Sequence, residues 1–140
     1  MTPFVALFLG GLIAALIAVV TILSIRQETG SAALAAALAG GFGAYTAVTI
    51  AFEGVLPVWL NHTQNLWGVQ VWWDLLFSVG IALFLIAPRA RAASMNVPLW
   101  ALFVVSTASI GLLAMCARLF WLETHGVSAA NASGAKQVPT

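Results

Sequence analysis

The sequence predicts an all-α polytopic membrane protein with four transmembrane helices in an up-down bundle. Composition is the first reason, because 62% of the 140 residues are hydrophobic, only 6% are charged, and the mean hydropathy is +1.04. Soluble domains carry roughly 25% charged residues, since water must solvate their surface. The second reason is a set of four long apolar runs, which cover residues 3–25, 31–60, 68–88 and 98–122.

Each run is long enough to cross a bilayer as a helix. About 20 residues that rise about 1.5 Å each span the roughly 30 Å of hydrocarbon. A helix satisfies its own backbone hydrogen bonds in lipid, whereas a barrel would show alternating segments of about 10 residues in place of these continuous runs. The runs therefore predict one transmembrane domain over residues 1–125.

The first run has no charged residue between Pro3 and Ile25. A signal peptide carries positive charge before an apolar core of about 7–15 residues and ends at a small-residue cleavage site. In this chain no positive side chain precedes the core, the core is longer, and Arg26, Gln27 and Glu28 follow it. We expect a helix that is retained in the protein.

The other three runs each contain one charged residue, and a polar tail follows them. The second run contains Glu53, and Pro57 near its end is expected to bend the helix into the next loop. The third run contains Asp74 and the fourth contains Arg118. Residues 126–140 are small and polar, which predicts a flexible tail.

Basic residues in the loops predict the orientation of the bundle. Arg26 lies between the first two predicted helices, and Arg89 and Arg91 lie between the last two, whereas the loop of residues 61–67 has no Lys or Arg. Loops that carry Lys and Arg stay in the cytoplasm. We therefore predict a bacterial inner (cytoplasmic) membrane protein with both termini outside, against which only Lys136 in the tail argues.

The charged residues within the spans predict an intramembrane polar cluster. In the predicted topology Glu53, Asp74 and Arg118 all lie roughly 8–10 Å inside the outer boundary of the membrane. A charge in a span costs about 2.5–3.5 kcal/mol, so such groups usually face the bundle and pair. Two roles stay open for this cluster, namely a structural pairing of the helices and a polar pocket that opens to the outside.

The stretch that joins the second and third helices is rich in polar and aromatic side chains. Trp residues at a water boundary are typical of an interfacial belt, and Trp121 and His125 are expected at this same outer end. The alternative is an aromatic-walled site for a ring-bearing lipid, a quinone or a pigment. The candidate ligand or interface residues are Asn61, His62, Trp67, Gln70 and Trp73.

Known catalytic, metal and nucleic-acid signatures are absent from the sequence. The one cysteine, Cys116, allows no internal disulfide, and His62 and His125 lack the spacing of metal ligands. No catalytic triad, Gly-rich phosphate loop or zinc motif is present. The net charge of +1 does not fit a nucleic-acid binder, so we expect no cofactor, no metal and no nucleic-acid partner.

A family resemblance is carried by the run WWDLLFSVGIALFLIAPRAR, by the Trp that follows it and by the run STASIGLL. These runs resemble a domain-of-unknown-function family of small bacterial membrane proteins, over about half the chain. The resemblance implies four helices and no established activity. A Pro of the family pattern after Gly111 is absent here. The matching positions are Trp73, Asp74, Leu75, Ser78, Arg89, Arg91, Trp100, Thr107 and Gly111.

Two functions stay open at the level of sequence. The first is a non-enzymatic accessory or structural subunit of a larger membrane assembly, with a membrane-protein partner or a second copy beside it in the lipid bilayer. Faces of small residues such as Gly10, Ala14 and Ala18 favour close helix packing of this kind. The second is a stand-alone bundle that binds or processes a lipid-soluble molecule near the outer leaflet.

Overall fold

The computed structural model describes residues 2–24 and 30–134, and over those ranges the chain is helical, with no strand. Arg26 and Lys136, which entered the prediction of orientation, lie outside the described residues. Six α-helices follow one another along the described chain. They are α1 (Pro3–Ser24), α2 (Ala32–Glu53), α3 (Leu56–Thr63), α4 (Leu66–Ala92), α5 (Val97–Thr107) and α6 (Ser109–Gly134).

Three of these helices are long and apolar enough to cross a membrane, and they supply the segments Pro3–Thr21, Ala32–Glu53 and Leu66–Ala92. The prediction of an all-helical membrane protein is confirmed at this level. The prediction of four continuous helices is wrong, because the second and fourth predicted helices are each interrupted. In place of the predicted up-down bundle of four, the described chain has three candidate spans in α1, α2 and α4, a short helix α3, and a hairpin formed by α5 and α6.

The first interruption lies at Gly54, between α2 and α3. Its φ of +78° lies in the left-handed region that glycine adopts without strain, and its N–H donates to the Ile50 carbonyl to close α2. Pro57 stands in the first turn of α3, where its missing N–H is not needed. The expected bend at Pro57 thus takes the form of a full break three residues earlier.

The short helix α3 packs against the beginning of α4. Gly68 lies directly against the Asn61 carbonyl, so closely that no side chain fits at this position. The Asn65 side chain accepts a hydrogen bond from the Gly68 N–H at 2.8 Å and thereby caps α4. These contacts fix the turn between α3 and α4.

The second interruption lies at Ala108, whose φ is 49°. It divides the fourth predicted helix into α5 and α6, which pack against each other as an antiparallel hairpin. Gly111 permits this contact, since a Cβ there would lie 2.8 Å from the Val104 Cα and 2.9 Å from the Phe103 carbonyl oxygen. The 11 residues of α5 extend about 16 Å, which is half of the hydrocarbon thickness.

Contacts along the hairpin show which end of the molecule each helix reaches. Glu123 of α6 pairs with Arg89 near the end of α4. The ring of Phe120 lies against Gly30, which precedes α2, whereas Ile110 lies beside Gly43 in the middle of α2. Helix α6 therefore runs antiparallel to α2, and the hairpin starts and ends at the Arg89 end of the molecule.

The buried core lies at this Arg89 end, between α4, α5 and α6. Ala87 and Ala90 present small side chains to the hairpin, and Val104 and Met115 are fully buried against them. Small residues of this kind let helices approach closely in a membrane, where dispersion contacts replace the hydrophobic drive. Partly buried side chains of Leu83, Ile86, Met95, Trp100 and Leu112 surround the core.

Helix α1 stands apart, because it has no extensive contact with any of the other described helices. The candidate span within it has no buried residue. At the other end of the chain, α6 continues to Gly134, so much of the segment predicted as a flexible tail is helical. The rest of that predicted tail, residues 135–140, lies outside the described residues.

Candidate functional site

The structure does not bring Glu53, Asp74 and Arg118 together. Glu53 ends α2, whereas Arg118 lies on α6 close to Phe120 and therefore near the beginning of α2. The 22 residues of α2 put about 33 Å between these two ends. Arg89 lies beside Phe120 and therefore near Arg118. Asp74 lies about 22 Å along α4 from Arg89, so Asp74 is also far from Arg118. The predicted common depth depended on a straight fourth helix, and the break at Ala108 removes it.

Each of these three charged side chains is exposed. The Arg118 guanidinium lies over the Trp121 ring, 4.7 Å from its centroid, in a cation–π arrangement. Among the described residues no salt bridge involves Glu53 or Asp74. Two carboxylates on apolar helices thus face outward from the folded chain.

The described part of the chain forms its salt bridge elsewhere, between Arg89 and Glu123. Arg89 Nη2 lies 2.7 Å from Glu123 Oε2, and Arg89 Nε donates to Oε1 at 3.0 Å. The guanidinium carbon also lies 5.6 Å from the centroid of the Phe120 ring. This bidentate pair joins the end of α4 to α6, which sequence reasoning missed because it placed Arg89 and Glu123 on opposite sides of the membrane.

The predicted outer residues are divided between two surroundings. Trp67, Gln70 and Trp73 are exposed on α4, and the Trp73 ring meets the edge of Phe77. The backbone carbonyl of Asn61 lies against Gly68. His62 is half-buried, and it is the member of the predicted set that faces a cavity.

The tautomer of His62 follows from its backbone contact. Its Nδ1 lies 2.6 Å from the Val58 carbonyl oxygen, which only accepts hydrogen bonds, so Nδ1 carries the proton. In the neutral ring Nε2 is then the free acceptor. The Trp72 ring lies 5.3 Å from the His62 ring, centroid to centroid, and inclined at 60°.

Two adjoining cavities lie beside this pair. The smaller has a volume of about 230 Å³ and lies between α3 and Trp72. The larger has about 630 Å³ and lies between α2 and α4, with the tip of the α5–α6 hairpin at its inner end. Val58 and Trp72 line both cavities, which therefore adjoin. Together the two cavities are called the crevice, which extends from His62 to the hairpin tip at Ala108.

The walls of the larger cavity are apolar apart from Thr46, and its inner end is polar. Phe42 and Ile50 of α2 face Leu76 and Leu83 of α4 across it. At the hairpin tip, Ser106 and Thr107 donate their hydroxyl protons back to the carbonyls of α5. Within the described chain, no hydrogen bond satisfies the N–H groups of Ser109, Ile110 and Gly111 at the start of α6.

The histidines are separated in the structure. His62 lies on α3, whereas His125 lies on α6 at the Arg89 end, with its Nδ1 2.7 Å from the Trp121 carbonyl oxygen. The expectation that Trp121 and His125 share an end with His62 is therefore wrong. The described residues contain no group of three or more His, Cys, Asp or Glu side chains that fits a metal ion.

Comparisons with known proteins return no relative. No protein-family model, no curated protein and no solved structure matches this chain. The resemblance to a family of small bacterial membrane proteins therefore stays a prediction.

Proposed function

We propose that this protein is a non-enzymatic subunit of a larger membrane assembly, in which another membrane protein or a second copy covers the exposed face of α4 around Asp74. The observation that carries the proposal is the position of this carboxylate. Asp74 lies about 12 Å along α4 from Leu66, within a helix that is apolar enough to span the membrane, and its side chain is exposed.

An exposed, unpaired carboxylate on a span is unfavourable in lipid. Insertion scales assign about 2.5–3.5 kcal/mol to a charged residue in the centre of a transmembrane helix, which is why such residues usually pair. Asp74 has no ion pair among the described residues. A neighbouring protein that supplies a hydrogen-bond donor or a positive charge removes this cost.

Helix α1 supports the same proposal. It is apolar along its whole length, and it lacks extensive contact with the described bundle. A second surface is therefore available for packing against a partner, with Gly10 at its middle. The surface around Asp74 remains the stronger argument, because an apolar helix is also stable when lipid alone surrounds it.

The orientation is part of the proposal. Arg89 and Arg91 lie at one end of α4, and by the excess of basic residues this end faces the cytoplasm of a bacterial cell. The His62 end then faces outward. Since α6 returns to the Arg89 end, Glu123 then lies on the cytoplasmic side.

Purification of the tagged protein from its own cells in mild detergent tests the proposal. We expect a protein partner, or a second copy, at fixed stoichiometry by size-exclusion chromatography and mass spectrometry. The Asp74→Leu variant removes the group that the partner recognises, and we expect it to lose that partner while it keeps its helical circular dichroism. Phe84→Leu, on an exposed position of the same helix, is the matched control. A wild-type protein that purifies as a monomer without a partner contradicts the proposal.

A further inference from the structure

We infer that the crevice between α2, α3 and α4 binds a quinol, with its hydroxylated aromatic head beside His62 and Trp72 and its apolar side chain in the cavity above the hairpin tip. The inference rests on the two cavities and not on the assembly proposed above. Nothing in it requires Asp74 or α1.

The size and shape of the crevice fit a small amphiphile. Sites for small molecules are typically concave, of about 300–1,000 Å³, and mostly apolar with a few placed polar groups. The larger cavity has about 630 Å³, and the smaller one continues it towards the His62 end. The crevice therefore offers a long apolar volume with one polar wall at each end.

The head end of the crevice favours a hydroxyl donor on an aromatic ring. The backbone bond at Nδ1 fixes the His62 tautomer and leaves Nε2 as an acceptor. The indoles of Trp59 and Trp72 line the same small cavity, and aromatic rings pack well against them. A phenolic O–H beside an aromatic ring satisfies both features, whereas a saturated acyl chain satisfies neither.

The hairpin tip favours a neutral occupant. The negative end of the α5 dipole and the positive end of the α6 dipole meet at Ala108, so their fields oppose each other. Free backbone N–H groups at membrane depth are tolerated where they line a cavity that holds water or a polar group. The tip thus accommodates an uncharged chain and a few water molecules, and it gives no preference to a cation or an anion.

Gly80 provides the variant that separates binding in the cavity from partition into lipid. It lines the larger cavity, and a Cβ at this position meets no atom within 4 Å. Gly80→Leu therefore fills the cavity without disturbing the backbone. Gly40→Leu is the matched control, because Gly40 has the same free space but does not line either cavity.

The experiment measures binding of 2-decylhydroquinone to the full chain in nanodiscs by isothermal titration calorimetry, with empty nanodiscs as the reference. Its dimethyl ether has the same ring and chain but no hydroxyl donor. We expect saturable binding to the wild type, roughly tenfold weaker binding to Gly80→Leu, and a change of less than about twofold for Gly40→Leu. We expect the ether to bind about fivefold more weakly to the wild type, and to lose this disadvantage in His62→Phe.

Three results would overturn the inference. One is heat that does not saturate above empty nanodiscs. Another is equal binding by the wild type and Gly80→Leu, since the ligand then sits elsewhere. The third is a phospholipid that co-purifies at fixed stoichiometry with the wild type, is lost from Gly80→Leu and is not displaced by the hydroquinone, which makes a membrane lipid the occupant. Circular dichroism of each variant verifies that its helices are retained.

Discussion

Arg89 forms both a salt bridge and a cation–π contact with α6. It holds Glu123 through two hydrogen bonds and covers the Phe120 ring, so one side chain fixes α6 against the end of α4. A guanidinium suits this position because its planar fork matches a carboxylate, which an ammonium does not. The side chains of Arg89 and Glu123 keep 45% and 21% of their exposure, so water screens part of the attraction.

Substitutions at this pair test its contribution to stability. Glu123→Gln is expected to lower the free energy of unfolding by roughly 1 kcal/mol, because the bond is charge-assisted but partly exposed. Arg89→Lys is expected to be similarly destabilised, since it retains the charge and loses the fork. Unfolding in mixed micelles, followed by circular dichroism, measures these differences. Arg91→Gln is the control, and an equal loss in that variant would show that the salt bridge adds nothing specific.

Single residues were only partly predictable from the sequence. His62 was predicted as a candidate ligand residue, and it does line a cavity, but its aromatic neighbours there are Trp59 and Trp72. The predicted Trp67 and Trp73 line neither of the two cavities. Trp72 and Trp73 lie on different faces of α4, and only the face turned towards α3 lines the cavity. The turn at Gly68 decides which face that is, and the periodicity of the sequence does not reveal the geometry of this turn.

At the scale of elements, the α5–α6 hairpin decides the fold. The run 98–122 has the length and the hydropathy of a transmembrane helix, and no Gly or Pro stands at the break itself. The only signal is the small and polar sequence around Ala108, followed by Gly111. The first break was more readable, because Gly54 and Pro57 are residues that end and begin helices.

Gly111 is the position at which the hairpin is most sensitive to substitution. A methyl group there meets the Thr107 hydroxyl at 2.6 Å and the Val104 Cα at 2.8 Å, so Gly111→Ala forces the two helices apart. We expect a loss of about 1–3 kcal/mol in unfolding free energy, as for overpacking of a core. Gly80→Ala, in open space on α4, is expected to be neutral or slightly stabilising because alanine favours helix. Thermal unfolding in micelles compares the two, and equal stability of both variants would argue against close α5–α6 packing.

At the scale of the whole molecule, the hairpin changes the side on which the chain leaves the membrane. A continuous fourth helix would place His125 with Gln64, whereas the hairpin places it with Ser94 at the Arg89 end. Labelling of intact cells with an impermeant maleimide distinguishes the two arrangements. The variants labelled, each in a Cys116→Ala background, are Gln64→Cys, Ser94→Cys and His125→Cys. We expect the cysteines at 94 and 125 to react alike and the cysteine at 64 to react oppositely. Matching reactivity of 64 and 125 would instead restore four spans.

The half-length of the hairpin also makes the protein asymmetric in cross-section. Helices α2 and α4 are long enough to cross both leaflets. Helix α5 and the first part of α6 add two sections at the Arg89 end, whereas the short α3 adds one section at the other end. A body that displaces more lipid from one leaflet than from the other acts as a wedge, and it favours a bilayer in which the leaflet at its wider end is the convex one. This protein is therefore expected to concentrate where the membrane is already bent in that direction, and to add to the bending where many copies gather.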